Sequence, residues 1–323
     1  MKKNDIVVVG ELNVDLILTG LSSLPEMGQC RLSQDMLFTL GSASAIFASN
    51  IANLGLKVGF VGKVGDDDLG NFILTSLTNK NVDTSKIIKD KQAKTGICVS
   101  MSFPEEYAMA SYAGVRESFT LSDIDMDYVL TARHLHMSSY YLQPGMKQGF
   151  AELFRRAKEA GLTTSLDPDS DPSGQWDNSI FEVLKYVDIF LPNEKEAFSI
   201  SKCNTVESAL HILSKTIGTV VIKTGKSGVW VKSKDRTIHA NAFKVDVIDT
   251  TGAGDSFNSG FIYQFLRGSI IEECAIWGNA CAAMSTTQLG GTTAFPNLQE
   301  IEQFLRENKI EIENRKDNSY GGD

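Results

Sequence analysis

One carboxylate stands inside a glycine-rich stretch that could bind a phosphate group. Residues 249–257 read Asp-Thr-Thr-Gly-Ala-Gly-Asp-Ser-Phe. The backbone N–H groups of Gly252, Ala253 and Gly254, at the start of a predicted helix, would attract an anion together with the helix dipole. An acid beside such a site is unfavourable for plain phosphate binding, but it fits a base that deprotonates an alcohol as the alcohol attacks a phosphoryl group. Asp255 is therefore the candidate base, and we expect the helix N-terminus to keep it ionised at neutral pH.

A strand and a helix must hold this stretch in place. Residues 243–248 are rich in β-branched side chains with rough alternation, which predicts a strand. After the stretch, apolar residues recur at helical spacing as far as Gly268, where a helix would end. A Gly-x-Gly turn before a helix is more often structural than catalytic, so the whole nine-residue pattern has to support the assignment.

Short apolar strands alternate with helical stretches through most of the chain. Strands are predicted at 6–10, 134–138, 163–166, 187–191 and 219–224, with helices between them, for example at 149–160 and 206–216. This alternation indicates a doubly wound, mostly parallel α/β sheet. Ligands bind at the carboxyl ends of the strands in such sheets.

Composition and charge exclude several classes of protein. The chain has 323 residues, 42% hydrophobic and 22% charged, with a net charge of −9 and no basic stripe, which argues against nucleic acid as a partner. No run of eighteen apolar residues exists and the N-terminus leads straight into a strand, so neither a membrane span nor a signal peptide is expected. The five cysteines are scattered and odd in number, which favours reduced thiols and a cytoplasmic location.

The nine-residue stretch resembles the C-terminal signature of the ribokinase-like (PfkB) carbohydrate kinase family, and the resemblance extends over nearly the whole chain. It implies that Asp255 is the catalytic base and that the amides of Gly252, Ala253 and Gly254 form the anion hole. It also implies one domain over 1–323: a three-layer, doubly wound, mostly parallel sheet with a small β-sheet lid. The charged, glycine-ended segment 307–323 is predicted to be a flexible tail.

Three further strand candidates, 30–40, 96–103 and 108–112, lie outside the alternating pattern. The resemblance implies that segments 12–40 and 94–115 form the lid over the sugar. Edge strands of such a lid often pair with a second subunit, which indicates a homodimer through the lid.

Polar residues near the N-terminus are candidates for sugar binding. Asn13 and Asp15 are two apart, so they share one face if the segment is extended. The resemblance implies that this pair binds sugar hydroxyls beside Gly41 and Ser42, where the family has Gly-Gly. The chain departs from the family at Ile46, where the family has an Asn that touches the sugar, so the site is not expected to hold ribose or fructose in the family's usual way, and the identity of the acceptor stays open.

Arg116 follows a glycine turn where many relatives have a small or amide residue. A guanidinium there could bind an anionic group of the substrate, such as a carboxylate or a phosphate. A solvated surface arginine is an equally good interpretation of this residue on the sequence alone.

The resemblance also implies a binding site for ATP and Mg²⁺. Asn193 and Glu196 match the family's Asn-x-x-Glu motif, with Glu196 close to Mg²⁺ through water; without the resemblance, a helix cap with solvated charges would be the better interpretation. Thr224, Gly225 and Gly228 match the turn along the nucleotide, and Asn279 matches a position near adenine. No Gly-x-x-x-x-Gly-Lys-Ser/Thr sequence is present, so the chain has no P-loop.

The loop 290–294, with Asp249 and Thr251, lies where relatives bind a monovalent cation such as K⁺ through carbonyl groups.

The sequence therefore predicts an ATP-dependent carbohydrate kinase acting on a hydroxymethyl group. A nucleoside, sugar-acid (2-keto-3-deoxygluconate-like) or sugar-phosphate kinase of the same family is the alternative if Arg116 faces the pocket. A regulator that binds a sugar or nucleotide without catalysis would not need Asp255. An NAD oxidoreductase would need a Gly-x-Gly-x-x-Gly after the first strand, and the chain lacks it.

Overall fold

The computed structural model describes residues 3–103 and 107–310. Its strands are β1 (Asn4–Val9), β2 (Asn13–Thr19), β3 (Asp35–Leu40), β4 (Val58–Gly65), β5 (Val82–Asp90), β6 (Gly96–Ser102), β7 (Tyr107–Tyr112), β8 (Ala132–Met137), β9 (Thr163–Leu166), β10 (Ile189–Phe190), β11 (Thr219–Lys223), β12 (Val229–Ser233) and β13 (Arg236–Ala240). Its α-helices are α1 (Ala43–Asn53), α2 (Asp68–Asn79), α3 (Met126–Val129), α4 (Phe150–Glu159), α5 (Ile180–Leu184), α6 (Glu194–Ser201), α7 (Val206–Leu213), α8 (Ala253–Leu266), α9 (Ile271–Ser285) and α10 (Leu298–Glu307).

Nine of these strands form one large sheet in the order β13-β12-β11-β10-β9-β8-β1-β4-β5. The strands from β11 to β5 pair in parallel, and β12 and β13 add to the edge as antiparallel strands. The carboxyl ends of the parallel strands therefore lie along one edge of the sheet. This confirms the predicted doubly wound, mostly parallel architecture.

Helices cover both faces of the sheet, which makes three layers. One buried cluster joins the sheet to α1, α8, α9 and α10, with Phe47, Phe261 and Trp277 among its large side chains. The other joins the opposite face to α4, α5, α6 and α7 and includes Phe150 and Phe154. Burial of apolar surface on both faces fixes the strand ends that carry the polar site.

The remaining four strands form a separate small sheet in the order β3-β2-β6-β7. Strands β2 and β6 are parallel, and the two outer pairs are antiparallel. The rings of Phe38 and Phe72 lie 4.7 Å apart and pack β3 against α2. The strand predicted at 30–40 is shorter than expected, because only Asp35–Leu40 pairs with β2.

The prediction of a strand at 243–248 is wrong. These residues follow β13 but join no ladder, and Val247 and Ile248 are exposed. The Ile248 and Asp249 amides donate instead to the Thr286 carbonyl, at 2.8 and 3.2 Å. The segment is therefore an extended connection that leaves the sheet edge and reaches the end of α9.

The end of the chain is described only as far as residue 310. Glu307 is the last residue of α10, and residues 311–323 of the predicted flexible tail lie outside the described residues. Within 3–103 and 107–310, none of the helices combines the length and the apolar character needed to cross a bilayer.

Candidate active site

The loop before α8 is shaped by Asp249. Its Oδ1 accepts hydrogen bonds from the Thr251 amide (2.9 Å) and the Thr251 hydroxyl (2.8 Å), and its Oδ2 accepts one from the Gly290 amide (2.8 Å). Gly252 then caps the N-terminus of α8 with φ 70°, a left-handed conformation that favours glycine. The helix therefore starts at Ala253, whose own amide donates to the Thr250 carbonyl at 3.1 Å.

Ile46 lies beneath this loop. A Cβ built on Gly252 would come within 3.2 Å of Ile46 Cγ2, and one on Gly291 within 2.8 Å of Ile46 Cδ1. One helical turn later, the Asn50 amide donates to the Gly291 carbonyl at 3.1 Å. The departure at Ile46 thus gives an apolar support for the loop, and Asn50 provides a polar link that the sequence did not reveal.

Asp255 occupies the first turn of α8 and is half-buried. Burial, first, and the nearby Asp167 carboxylate raise its pKa well above the ordinary value, with further contributions from Asp169 and Glu11. The Lys223 ammonium acts in the opposite direction. Desolvation and the neighbouring carboxylates therefore act against the helix dipole, which was expected to keep Asp255 ionised.

A buried ion pair links three strand and helix ends beside Asp255. Lys223, the last residue of β11, places its Nζ 2.6 Å from Asp167 Oδ2, just after β9. Asn258 lies three residues after Asp255 on the same face of α8, and it donates to the same Asp167 oxygen at 2.5 Å. The side chains of Lys223 and Asp167 are 13% and 7% exposed, so the pair is screened little by solvent.

Glu11, just after β1, is a buried carboxyl surrounded by serine hydroxyls. Ser42 and Ser139 donate to its Oε1, and Ser44 donates to its Oε2, each at 2.9 Å. The Ser139 hydroxyl also lies 2.9 Å from Asp169 Oδ2. Burial, first, and the Asp169 charge raise the pKa of Glu11 to about 7. The cluster joins the ends of β1, β8 and β9 to the start of α1.

Three residues of this cluster have left-handed backbone conformations that side chains rarely adopt. The φ angles are 69° at Ser42, 60° at Ser139 and 55° at Asp169. The first of these explains the family's glycine at position 42, since glycine adopts a positive φ without strain. Here Ser42 is held in place because it caps α1 through the Ala45 amide and donates to Glu11.

Asn13, Asp15 and Gly41 come together on the inner face of the lid. The Asn13 amide donates to Asp15 Oδ1 at 2.9 Å, as their spacing in an extended strand predicts. Burial, first, and the Asp249 charge raise the pKa of Asp15 to about 6. The charge of Asp249, in the loop before α8, thus acts on Asp15 in the lid.

Arg116 lies in a short turn after β7, near Cys98, which is paired directly with Asp15 across β2 and β6. Both the Arg116 and Asp15 charges act on the pKa of Cys98, which burial raises. The Arg116 Nε is buried without a hydrogen-bond partner in the described part of the chain. Arg116 is therefore half-buried, and its charge acts on the same cysteine as that of Asp15.

Asn193 and Glu196 form a capping box at the start of α6. The Asn193 side chain accepts from the Glu196 amide at 2.9 Å, and Glu196 Oε2 accepts from the Asn193 amide at 2.8 Å. Burial, first, and the Asp167 charge raise the pKa of Glu196 to about 8, against the effect of Lys223. Among the residues described, no three histidine, cysteine or acidic side chains are close enough to hold a metal ion by themselves.

The nucleotide-side residues meet at the end of β11. The Thr224 hydroxyl donates to the Gly228 carbonyl at 2.9 Å, closing a turn in which Gly225 is exposed with φ 57°. A Cβ on Gly228 would lie 2.0 Å from the Ala240 carbonyl oxygen. Asn279 is buried and donates to that same carbonyl at 3.1 Å, so the alternative of a solvent-facing Asn279 is wrong.

Sequence reasoning missed Glu11, Lys223 and Asn258 as members of the site. Their positions could have indicated them, because Glu11 and Lys223 each lie at the carboxyl end of a strand, where ligands bind in this kind of sheet. Asn258 follows Asp255 by three residues on a helix, which also places it on the same face.

Comparison with known proteins shows the family to which the chain belongs. A family model described as pfkB family carbohydrate kinase matches residues 3–313. The chain belongs to this family. It is 28% identical to a ribokinase from Staphylococcus aureus, over 93% of this chain and 99% of the relative. It is 30% identical to a 5-dehydro-2-deoxygluconokinase from Bacillus subtilis, over 94% of this chain and 96% of the relative.

The fold agrees with a solved structure of ribokinase from Arabidopsis thaliana complexed with ribose and ATP, with a TM-score of 0.82 and 22% identity over 94% of this chain and 99% of that one. The predicted ribokinase-like fold is thereby confirmed. The chain is an ATP-dependent carbohydrate kinase, and enzymes of this family use ATP with Mg²⁺.

Proposed function

We propose that the chain transfers the γ-phosphoryl group of ATP to a hydroxymethyl group of a carbohydrate, with Asp255 as the general base. The observation that supports this most strongly is the position of Asp255 in the first turn of α8, directly after Gly252, Ala253 and Gly254. The substrate oxygen attacks phosphorus, the bond from phosphorus to the leaving ADP oxygen breaks, and the hydroxyl proton passes to Asp255. The helix-terminal amides stabilise the charge that develops on the phosphoryl oxygens.

The raised pKa of Asp255 suits this role. A carboxylate with a higher pKa takes up a proton more readily than an ordinary aspartate, and a general base works best when its pKa approaches the working pH. The base must first be ionised. The Lys223 charge lowers the pKa of Asp255 and so favours the ionised form.

The nucleotide would lie along the end of β11 and the start of α6. Thr224, Gly225 and Gly228 would contact its ribose and phosphates, and Asn279 would lie near the adenine. The open space around Gly225 fits a ligand there, because no atom lies within 4 Å of a Cβ built on it.

Mg²⁺ would lie beside the phosphates and supply neutralising charge to them. Asn193 and Glu196 would hold it through water. Their carboxylate and amide oxygens are the donors that this ion prefers, and Glu196 is buried among Asp167 and Lys223 at the same edge of the sheet.

The acceptor would bind beneath the lid. Asn13 and Asp15 would hydrogen-bond its hydroxyl groups, and Gly41 and Ser42 would line the approach. A buried carboxylate that binds hydroxyls rejects a deoxy analogue, because the analogue leaves the carboxylate without a partner.

A sugar acid is the second candidate acceptor, in place of a neutral sugar. The buried, unbonded Nε of Arg116, whose charge acts on Cys98 as that of Asp15 does, is a donor suited to a carboxylate. The relative named 5-dehydro-2-deoxygluconokinase, at 30% identity, fits such an acceptor. Nucleosides and sugar phosphates are further candidate acceptors, and they should be assayed beside the sugar acids.

A monovalent cation such as K⁺ would bind near Asp249 and Thr251. In support, Asp249 ties Thr251 to the Gly290 amide, so two loops rich in carbonyl groups meet at this point. Removal of K⁺, with Na⁺ and Li⁺ as replacements, tests this by its effect on turnover.

A homodimer would form through the lid. Strands β3 and β7 are its edges, and Met36, Met109 and Tyr112 on them are 58%, 60% and 53% exposed. Light scattering of the purified chain measures its mass, and a mass of one subunit at micromolar concentration would contradict this proposal.

The experiment that tests the proposed function is ADP release with Mg-ATP against pentoses, hexoses, sugar acids, sugar phosphates and nucleosides. We expect one strong acceptor, and a carboxylate on that acceptor would favour the sugar-acid candidate. ATP binding with no turnover on any acceptor would favour the regulator instead. Absence of ATP binding would contradict the proposal as a whole.

A further inference from the structure

The ammonium group of Lys223 borders the anion hole. A Cβ built on Gly254 would lie 3.4 Å from Lys223 Nζ, which is van der Waals contact. An ammonium carries three N–H donors. Two acceptors contact it within the described chain, Asp167 Oδ2 at 2.6 Å and Asn258 Oδ1 at 3.4 Å. One donor therefore remains for a ligand that enters between Lys223 and the amides at the start of α8.

The surroundings of Lys223 are strongly negative. Five carboxyl groups act on Lys223, on Asp255 or on both: Glu11, Asp167, Asp169, Glu196 and Asp255. A triphosphate brought among these groups needs positive charge close to the group that is transferred. The Lys223 charge acts on both the proposed base, Asp255, and the candidate Mg²⁺ residue, Glu196.

Resting on the proposed function, we infer that Lys223 is a catalytic residue whose ammonium contacts the transferring phosphoryl group. Asp167 and Asn258 are positioning residues that hold the ammonium beside Gly254. The charge is placed before the reaction begins and is largely shielded from water, which are the conditions under which it lowers a barrier most. Lys223 also stands at the carboxyl end of its strand, the edge where ligands bind in this fold.

A purely structural ion pair is the competing explanation. Buried pairs are often replaceable by apolar residues of similar size without loss of stability, so the fold alone does not require this lysine. The chain offers a comparison in Lys158, whose Nζ lies 2.7 Å from Asp188 Oδ1. Asp188 precedes β10, so this second pair lies at the opposite edge of the sheet from Asp255.

The test compares K223M with K158M, using the best acceptor from the panel. For K223M we expect kcat to fall about 100-fold or more, with KM for ATP and for the acceptor changed only a few-fold. K158M should keep the wild-type kcat. A K223M kcat within a few-fold of the wild-type value would overturn the inference. A wild-type chain that releases no ADP with any acceptor would overturn the proposed function and this inference together.

A double variant shows whether a lower kcat results from the lost Lys223 charge or from a destabilised fold. K223M/D167L replaces the ion pair by apolar side chains and restores packing if the single variant is unstable. With a melting temperature close to that of the wild type, it should still have a kcat reduced about 100-fold. Recovery of kcat in this double variant would show that the pair is structural and would overturn the inference.

Discussion

The carboxylate of Asp15 occupies the space that a side chain on residue 41 would need. A Cβ built on Gly41 would lie 2.2 Å from Asp15 Oδ1 and 2.5 Å from Asn13 Nδ2. The Gly41 amide also donates to the Asn13 carbonyl at 3.1 Å, so the backbone cannot easily withdraw. The orientation of the Asn13–Asp15 pair on the lid therefore depends on glycine at this point between β3 and α1.

We expect G41A to weaken acceptor binding by displacing Asp15. KM for the acceptor should rise about tenfold or more, because a displaced carboxylate loses its hydrogen bonds to the substrate. KM for ATP should change little. The control is G218A, where the nearest atom to the added methyl group is a carbonyl oxygen at 3.6 Å. If KM for the acceptor is unchanged in G41A, Asp15 does not bind the substrate and the prediction is wrong.

We expect D255N to remove the general base while preserving the fold. Turnover should fall about 100-fold or more, since a positioned base contributes about that much, and the affinity for ATP should stay within a few-fold. The control is D68N, because Asp68 is also an acid in the first turn of a helix, at the start of α2. Near-normal turnover in D255N would contradict the assignment of the base.

We expect E196Q to change the dependence of activity on Mg²⁺. The Mg²⁺ concentration for half-maximal turnover should rise several-fold, because a neutral amide binds the hydrated ion more weakly than a carboxylate. The matched control is E300Q, since Asn297 and Glu300 form the same capping box at the start of α10. If E196Q and E300Q show the same Mg²⁺ dependence, Glu196 acts only as a helix cap and has no role in Mg²⁺ binding.

We expect the two buried histidines of β8 to destabilise the chain in acid. His136 bonds Ser165 and Ser138, and burial lowers its pKa from 6.5 to about 3. The unfolded state takes up a proton below about pH 6.5 that the native state excludes. The free energy of unfolding should therefore fall between pH 6.5 and pH 3, by about 1.4 kcal/mol per pH unit from His136.

Denaturant unfolding of H136Q at several pH values measures this contribution. The slope with pH should be shallower than that of the wild type over the same window, because a titrating group that differs between the two states has been removed. H211Q is the control, since His211 is exposed on α7. Identical slopes for the wild type and H136Q would show that His136 is not excluded from protonation.

Local patterns predicted the elements that carry the chemistry. The apolar spacing after residue 256 and the glycine at 268 gave α8, which runs Ala253–Leu266. The alternation of short strands and helices gave the parallel sheet and thus the edge at which the site lies. The spacing of Asn13 and Asp15 gave their contact, because neighbours two apart share a face of a strand.

Other features depend on contacts that one sequence does not encode locally. The segment 243–248 has the composition of a strand, but β propensity acts only where a neighbouring strand accepts the hydrogen bonds, and none lies beside it. Ser139 reaches Glu11 across 128 residues. The raised pKa of Asp255 follows from its burial, first, and from carboxylates at separate strand ends, and the local sequence around the helix dipole reveals neither.

The left-handed conformations of Ser42 and Ser139 lower the stability of the chain, but the hydroxyls of the same two serines hold Glu11. Glycine at either position would relieve backbone strain of about 1 kcal/mol or more, so selection for heat resistance would favour it. The same replacement would remove a hydroxyl that donates to the buried Glu11 carboxyl. At these two positions the hydrogen bonds to Glu11 are therefore kept at the expense of stability.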